Sequence, residues 1–276
     1  MKLAVLSDIH GNKPALDAVL DDAEKENVDQ ILILGDLITD FPRHTNIILD
    51  TVRSLDAWVI RGNREEYLIA KSKNESVDDW QSYKQFSSLY DTWRMLRDED
   101  IRYLESLPSQ IACVYDDNFS FRMVHGSPFP EIGLLLEEHA GQIERSLESI
   151  AEKYLLCGHT HRPFQMNFTN KTILNPGSVG MNFTGNSSAQ YAIIDCEDSE
   201  IVIEMKEIPY DFEWLKREAS TDDFWVKTCL KSLEDGVNYN VEFLEEAQVR
   251  FGLWPIPNDK YDELSFEWLR SEWKIH

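Results

Sequence analysis

The first two hundred residues switch repeatedly between short unbroken apolar runs and stretches whose apolar positions recur every three or four residues. Lys2–Leu6 is the first such run and is short enough to be a strand. Asp8-Ile9-His10-Gly11-Asn12 follows it. Leu16, Val19, Leu20 and Ala23 then fall at helical spacing, with Asp21, Asp22, Glu24 and Lys25 on the outer side. Asn12 is placed as the N-cap of that helix and Pro14 in its first turn. Gln30–Leu34 is nearly all apolar, as in a strand covered on both faces, and ends at Gly35-Asp36. The spacing of Ile47, Ile48 and Val52 predicts a helix over 45–54. Ala57–Ile60 reads as a third strand, ending at Arg61-Gly62-Asn63. The order β-α-β-α-β, with polar residues at each strand exit, means a parallel sheet.

The rhythm breaks over 65–110. This polar segment carries Trp80, Tyr83, Phe86, Tyr90, Trp93 and Leu96 at spacings of three or four, and reads as a helical insertion. Its aromatic stripe either packs on the core or forms a lid over a site. A hairpin is expected from 111–115 and 119–124 around Asp116-Asp117-Asn118, then a helix over 141–151 and a strand over 154–157. Segments 164–168, 172–174, 190–195 and 201–208 read as further strands, with Asn175-Pro176-Gly177-Ser178 as a turn. The expectation is an α/β domain over 1–210, with two sheets face to face and helices outside. From Asp211 onward Trp214, Trp225, Trp254, Trp268 and Trp273 accompany helical spacing, including a final helix around 264–273. Residues 211–276 are therefore expected to form a helical C-terminal extension. It would pack on the core, wall a pocket or make a homo-oligomer contact.

Composition narrows the function. The 276 residues are 42% hydrophobic and 28% charged, and the formal net charge is −23. Such an acidic surface repels polyanions, so polymeric nucleic acid and anionic membranes are not expected partners. Cys113, Cys157, Cys196 and Cys229 are widely separated, and three of them lie in apolar runs. Reduced thiols and a cytoplasmic location are expected. Nothing resembles a signal peptide or a spanning helix.

The strand exits carry the chemistry. They present Asp8 and His10, Asp36, Asn63, His125, and His159 with His161. Singly, each has an ordinary structural role. Together, in register with strand ends, they suit two metal ions about 3.5–4 Å apart with a shared carboxylate between them. Two carboxylates against two dications leave the site about two charges positive, which suits a phosphate. A nitrogen- and oxygen-donor site without thiolate suits Mn, Fe, Zn or Ni.

Asp8-x-His10, Gly35-Asp36, Gly62-Asn63, His125-Gly126 and Gly158-His159-Thr160-His161 resemble the five-block signature of the calcineurin-like metallophosphoesterases. The resemblance covers roughly residues 1–208. It implies a four-layer α-β-β-α sandwich and a binuclear site. One ion would be held by Asp8, His10 and His161 and the other by Asn63, His125 and His159, with Asp36 bridging. Divalent or trivalent ions are implied, with Mn or an Fe/Mn pair favoured. Asn175-Pro176-Gly177-Ser178 and the opening Ser7-Asp8-Ile9-His10-Gly11-Asn12 resemble the compact bacterial and archaeal branch.

One departure matters. Many members have Gly-Asn-His-Glu, whose His is held to protonate the leaving group, whereas this chain has Gly62-Asn63-Arg64-Glu65. The carboxylate that supports that His is replaced by Thr39, with Asp40 one residue on. A guanidinium keeps its proton at neutral pH, so Arg64 is no acid, yet it can clamp phosphate oxygens. The alternative is a surface pair between Arg64 and Glu66.

The expected reaction is in-line attack on phosphorus by a hydroxide shared between the ions, with Asp36 and Arg64 catalytic and Asn12 and Arg64 binding substrate. Without a His acid, leaving groups needing little protonation are favoured. That points to a phosphodiester or phosphoanhydride of a small nucleotide-like substrate, such as a dinucleoside polyphosphate. The alternatives are a phosphomonoesterase or protein phosphatase, a nuclease, and a catalytically weak binding or scaffold protein on the same fold.

Overall fold

A computed structural model describes residues 1–75, 82–116, 119–129, 133–197, 200–219 and 223–271. Strand β1 (Lys2–Leu6) leads to α1 (Lys13–Lys25), β2 (Gln30–Ile33), α2 (Thr45–Ser54) and β3 (Ala57–Val59). The pairs β1–β2 and β2–β3 are parallel, as the alternating pattern requires. Two long antiparallel strands, β9 (Ser188–Glu197) and β10 (Glu200–Pro209), complete this sheet in the order β10-β9-β1-β2-β3.

The second sheet is built from β4 (Gln110–Val114), β5 (Ser120–Val124), β6 (Tyr154–Leu156), β7 (Phe164–Phe168) and β8 (Lys171–Asn175). Its order is β4-β5-β6-β8-β7, with β5, β6 and β8 mutually parallel and the two edges antiparallel. Helix α6 (Ala140–Ser149) covers its outer face through Ile143 and Leu147.

Three apolar layers hold these parts together. Leu3, Val5, Leu32, Leu34, Phe121, Met123, Leu156 and Leu174 fill the space between the sheets. Leu16 and Val19 of α1, Ile48 and Val52 of α2 and Leu104 pack on the outer face of the first sheet. Each fully buried side chain of this size contributes roughly 1.5–3 kcal/mol relative to exposure. The result is the expected four-layer α-β-β-α sandwich. Because β1, β2, β3, β5 and β6 are parallel within their sheets, their carboxyl ends gather polar residues at one rim, where open α/β sheets place their sites.

Residues 65–110 contain most of α3 (Asn63–Ser72), with α4 (Ser87–Met95) and α5 (Asp98–Ser106). The aromatic stripe does two things. Leu89, Trp93 and Leu96 pack onto the first sheet's outer core, while Phe86 lines a cavity. Trp80 lies outside the described residues, as do Asp117, Asn118 and Trp273.

The C-terminal residues form α7 (Phe212–Glu218), α8 (Phe224–Asp235), α9 (Tyr239–Phe251) and α10 (Asn258–Arg270). Sharp caps set these ends. Asp223 and Asn238 accept the first-turn N–H groups of Val226 and Val241, and Gly236 and Gly252 take the left-handed conformation that closes α8 and α9. The last helix begins at Asn258 rather than near 264, because Pro257 sits at its N-cap. Leu215, Trp225, Cys229 and Leu233 pack against Phe41 and Met181 of the sandwich. Phe224, Phe243, Tyr261 and Trp268 meet as a separate aromatic cluster. Among the described residues no helix is long and apolar enough to cross a membrane. All four cysteines are free, Cys157 and Cys229 buried and Cys113 and Cys196 half-buried.

Candidate metal centre

Five strand exits converge on one point. Asp8 and His10 follow β1, Asp36 follows β2, Asn63 opens α3 after β3, His125 follows β5, and His159 and His161 follow β6. The backbone is forced to turn its side chains inward there. Asp8, His10, Asp36, His159 and His161 all have positive φ, between 49° and 68°. Non-glycine residues adopt this region at a cost, and such strain collects at functional sites. Hydrogen bonds from Asp8 N to Gly35 O and from His10 N to Asp36 O hold the loops together. Gly62 is required at its position: a Cβ there would stand 2.2 Å from Asp36 Oδ1.

The ligand atoms fall into two groups, Asp8 with His10 and His161, and Asp36 with His125 and His159. In the first, His10 Nε2 and His161 Nε2 are 3.1 Å apart, and Asp8 Oδ1 is 3.3 Å from His161 Nε2. In the second, His125 Nε2 lies 3.0 Å from Asn63 Oδ1 and 3.2 Å from His159 Nδ1. Asp36 Oδ2 stands between the groups, 3.6 Å from His10 Nε2 and 3.4 Å from His125 Nε2.

For three of the four histidines the other ring nitrogen is already committed. His10 Nδ1 donates to Asp40 Oδ2 at 2.6 Å, His125 Nδ1 to Leu34 O at 2.7 Å and His161 Nδ1 to Met181 O at 2.5 Å. This is the arrangement that fixes the tautomer of a metal-binding imidazole and orients its ring. It leaves lone pairs facing each other at the Nε2 atoms of His10 and His161, which repel unless a cation lies between them. Asp8 Oδ1 is also buried without a hydrogen-bond partner. The donor set therefore fits two metal ions.

The titration of these groups carries the same message. Burial opposes charge on His10, yet the Asp40 carboxylate outweighs it and lifts the imidazole to about 10. His125 is lifted to about 9, because Asp36 overcomes its burial. His159 moves the other way, to about 4, through burial and the neighbouring His125. Burial would raise Asp8, but His161 and His10 hold it well below the usual carboxylate range. Asp36 is depressed too, by His125 against its burial. The site recruits positive charge.

Several supporting residues were not singled out by sequence. Glu65 accepts backbone N–H groups from Asp36, Leu37 and Gly62 at 2.8–2.9 Å, tying the β2 exit to the start of α3. Its burial, with the Asp36 charge nearby, lifts it to about 7. The signal for it was its third position in α3, which suits a carboxylate reaching back to the cap. Ser7 Oγ donates to Asp8 Oδ2 at 2.6 Å, and His159 N donates to the same oxygen at 2.9 Å. Asp40 is buried, accepts from His10 and accepts from Trp225 Nε1 at 2.9 Å. Burial would raise its carboxyl, but Arg64 and His10 pull it far below the usual range.

The structure changes the reading of Asn12 and sets aside the alternative for Arg64. Asn12 is fully buried and does not line the cavity. Its Oδ1 caps α1 through Ala15 N, and its Nδ2 donates to Gly180 O and Tyr210 OH. Its amide protons are spent, so no phosphate contact is available from it. Arg64 does not pair with Glu66, which is held by Arg61. Its guanidinium stands 3.9 Å from Asp36 Oδ2 and 3.8 Å from Asp40 Oδ2. These are long contacts, and Arg64 Nε is buried without a hydrogen-bond partner.

Five of the candidate ligands, His10, Asp36, Asn63, His159 and His161, line the floor of a cavity of about 640 Å³. Its walls come from α3, the segment around Phe86, Phe183, the C-terminal helices through Trp225 and Leu244, and Trp254 between α9 and α10. Phe183 stacks flat on His161, with ring centroids 5.1 Å apart.

The model of the calcineurin-like phosphoesterase superfamily domain matches residues 1–199. The chain belongs to this superfamily. A crystal structure of a metallophosphoesterase from Sphaerobacter thermophilus is 26% identical, superposes with a TM-score of 0.69, and covers 86% of this chain and 100% of its own. The hypothetical protein PH1004 from Pyrococcus horikoshii OT3 has the same fold, with a TM-score of 0.67 at 23% identity over 85% of this chain and 98% of its own. The uncharacterized protein MJ0912 of Methanocaldococcus jannaschii is 28% identical over 231 residues, 76% of this chain and 88% of its own. This chain thus has the fold of the Sphaerobacter metallophosphoesterase and brings together two candidate metal-ligand clusters.

Proposed function

We propose that this chain is a binuclear-metal phosphoesterase that hydrolyses a phosphodiester or phosphoanhydride of a small nucleotide-like substrate by in-line displacement at phosphorus. The observation that carries the reading is the pair of ligand clusters with Asp36 Oδ2 between them, at the floor of a cavity that Arg64 also lines. Asp8, His10 and His161 would hold one ion, and Asn63, His125 and His159 the other, with Asp36 shared. Two divalent or trivalent ions, Mn or an Fe/Mn pair favoured, would supply Lewis acidity at the phosphoryl oxygen and lower the pKa of a water.

The chain's own residues do the rest. Asp40 and the Leu34 and Met181 carbonyls lock the imidazoles with Nε2 turned inward. Asp8 and Asp36 offset cation repulsion. Arg64 is held near Asp36 and Asp40 only by long ion contacts of 3.8–3.9 Å, and its guanidinium would take phosphoryl oxygens and stabilise charge that builds in displacement. No imidazole follows Asn63 to protonate a departing oxygen. Leaving groups that depart as stable anions, nucleotide phosphates and aryl oxides, are therefore favoured over alkoxides.

The test is a substrate panel on protein loaded with Mn and again after chelation. An aryl phosphodiester and a diadenosine polyphosphate should turn over in the loaded protein and not in the chelated one. Fastest turnover of a phosphoserine peptide would overturn the leaving-group argument.

A further inference from the structure

The cavity is larger than a phosphate needs and its walls are not uniform. At the floor lie the ligand clusters and Arg64, which is the only lysine or arginine among the described residues that line it. Phe86, Phe183, Leu244 and Trp254 give apolar and aromatic faces, and Phe86 and Trp254 meet edge-to-face at 6.3 Å. Beside Asn238, which caps α9, the insertion and the C-terminal extension place Gln85, Ser88 and Asn240 in this apolar surround, 4%, 4% and 7% exposed.

Each has unspent hydrogen-bonding capacity. Gln85 Oε1 accepts from Ile256 N at 2.7 Å, which fixes the amide and leaves Nε2, a donor, buried without a partner. Asn240 Nδ2 faces Cys229 Sγ at 3.0 Å, leaving Oδ1, an acceptor, in the same condition. Ser88 Oγ is the third. Buried polar groups are nearly always paired, and several unpaired ones along one cavity mark a surface built to meet a ligand's polar edge.

We infer that this wall is a subsite for a neutral, planar ring system with both donor and acceptor edges, the nucleobase class, attached to the phosphoryl group held at the floor. The inference rests on the phosphoesterase reading of that floor and adds what the walls select. An alkyl chain would leave Gln85, Ser88 and Asn240 unpaired. A heterocycle meets both kinds of wall, its faces against aromatic rings and its edge against the amides and hydroxyl. The volume of about 640 Å³ lies within the range of small-molecule sites.

Calorimetry on the Mn-loaded 276-residue chain tests this with adenosine and thymidine 5′-monophosphates against ribose 5-phosphate, which carries the same phosphate and no base. The nucleotides should bind at least about tenfold more tightly, the gain of one to two well-made hydrogen bonds and a stacked ring. Gln85→Leu, Asn240→Leu and the milder Ser88→Ala should each shrink that ratio severalfold. In parallel, turnover of thymidine 5′-p-nitrophenyl phosphate should exceed that of bis(p-nitrophenyl) phosphate in kcat/KM. Equal affinity for nucleotide and ribose phosphate, with both aryl diesters still hydrolysed, overturns the subsite and leaves the phosphoesterase reading standing. Tighter nucleotide binding with no hydrolysis of either diester overturns the phosphoesterase reading and leaves the subsite. A ratio that all three variants leave untouched overturns the assignment of these residues.

Discussion

Trp225→Phe isolates the link between the C-terminal helices and the ligand cluster. Trp225 lies in the first turn of α8, is 8% exposed, and donates its indole N–H to Asp40 Oδ1 at 2.9 Å. The other Asp40 oxygen accepts from His10 Nδ1 at 2.6 Å. Phe keeps most of the apolar contact with Phe41 and Met181 and removes the donor. A hydrogen bond to a charged acceptor is worth about 1.5–3 kcal/mol. Loss of the larger ring's contacts adds roughly 1 kcal/mol. The metal-free variant should therefore lose about 3 kcal/mol in urea unfolding. A ring-contact effect alone would give only the smaller figure.

A double-mutant cycle with Asp40→Asn separates the two contributions. The coupling between positions 225 and 40 should be about 1.5–3 kcal/mol, since the ring-contact term cancels in the cycle. Loss of a partner that orients a metal-binding imidazole costs about 10–100-fold in metal affinity. Asp40→Asn should fall in that range by Mn titration. Trp225→Phe, one step further out, should fall at or below its lower end. Coupling under about 0.5 kcal/mol, the scatter of independent sites, together with unchanged Mn affinity would refute the linkage.

Asp36→Asn should cut aryl phosphodiester turnover by at least about 100-fold, and metal analysis should show fewer ions retained, because one carboxylate oxygen serves both clusters. Arg64→Ala should lower kcat/KM by about 10–100-fold with metal content unchanged; loss of metal instead would show that Arg64 supports the ligands rather than the phosphate. Asp100 gives a pH dependence remote from the site. Its side chain is buried, and against that burial the hydrogen bonds from Arg97, with Arg53 alongside, hold its carboxyl below the usual value. A lowered folded-state pKa means stability that is present above about pH 4 and is lost as pH falls through the folded value. Asp100→Asn should thus destabilise at pH 7, by about 1–2 kcal/mol, and the gap to the wild type should narrow toward pH 3 in urea titrations.

The convergence of the candidate ligands was legible because each of them follows an apolar run at a strand end. A parallel sheet brings those ends together whatever the helices do between them. The glycines of the motifs were visible without their reason. Gly62 is there because Asp36 Oδ1 occupies the space a Cβ would take, and Gly35 because its φ is 93°. Asn12 shows how a correct local reading limits a functional one. The cap is real, and by capping α1 and binding Gly180 and Tyr210 the side chain has nothing left for a phosphate.

What could not be read was anything decided by which helix lies over the rim. The spacing of Trp225, Cys229 and Leu233 marks a buried stripe on α8, and the stripe is buried. Nothing in that spacing says that the indole N–H reaches a carboxylate 185 residues earlier. Gln85 and Asn240 are equally silent, since a polar residue beside a helix start usually serves the cap. The same physics explains both outcomes. Metal ligands are placed by backbone geometry within a few residues of a strand, which local pattern encodes. The walls that choose the organic part of a substrate are placed by packing between distant segments, and a change in one helix cap can move them without altering a single ligand.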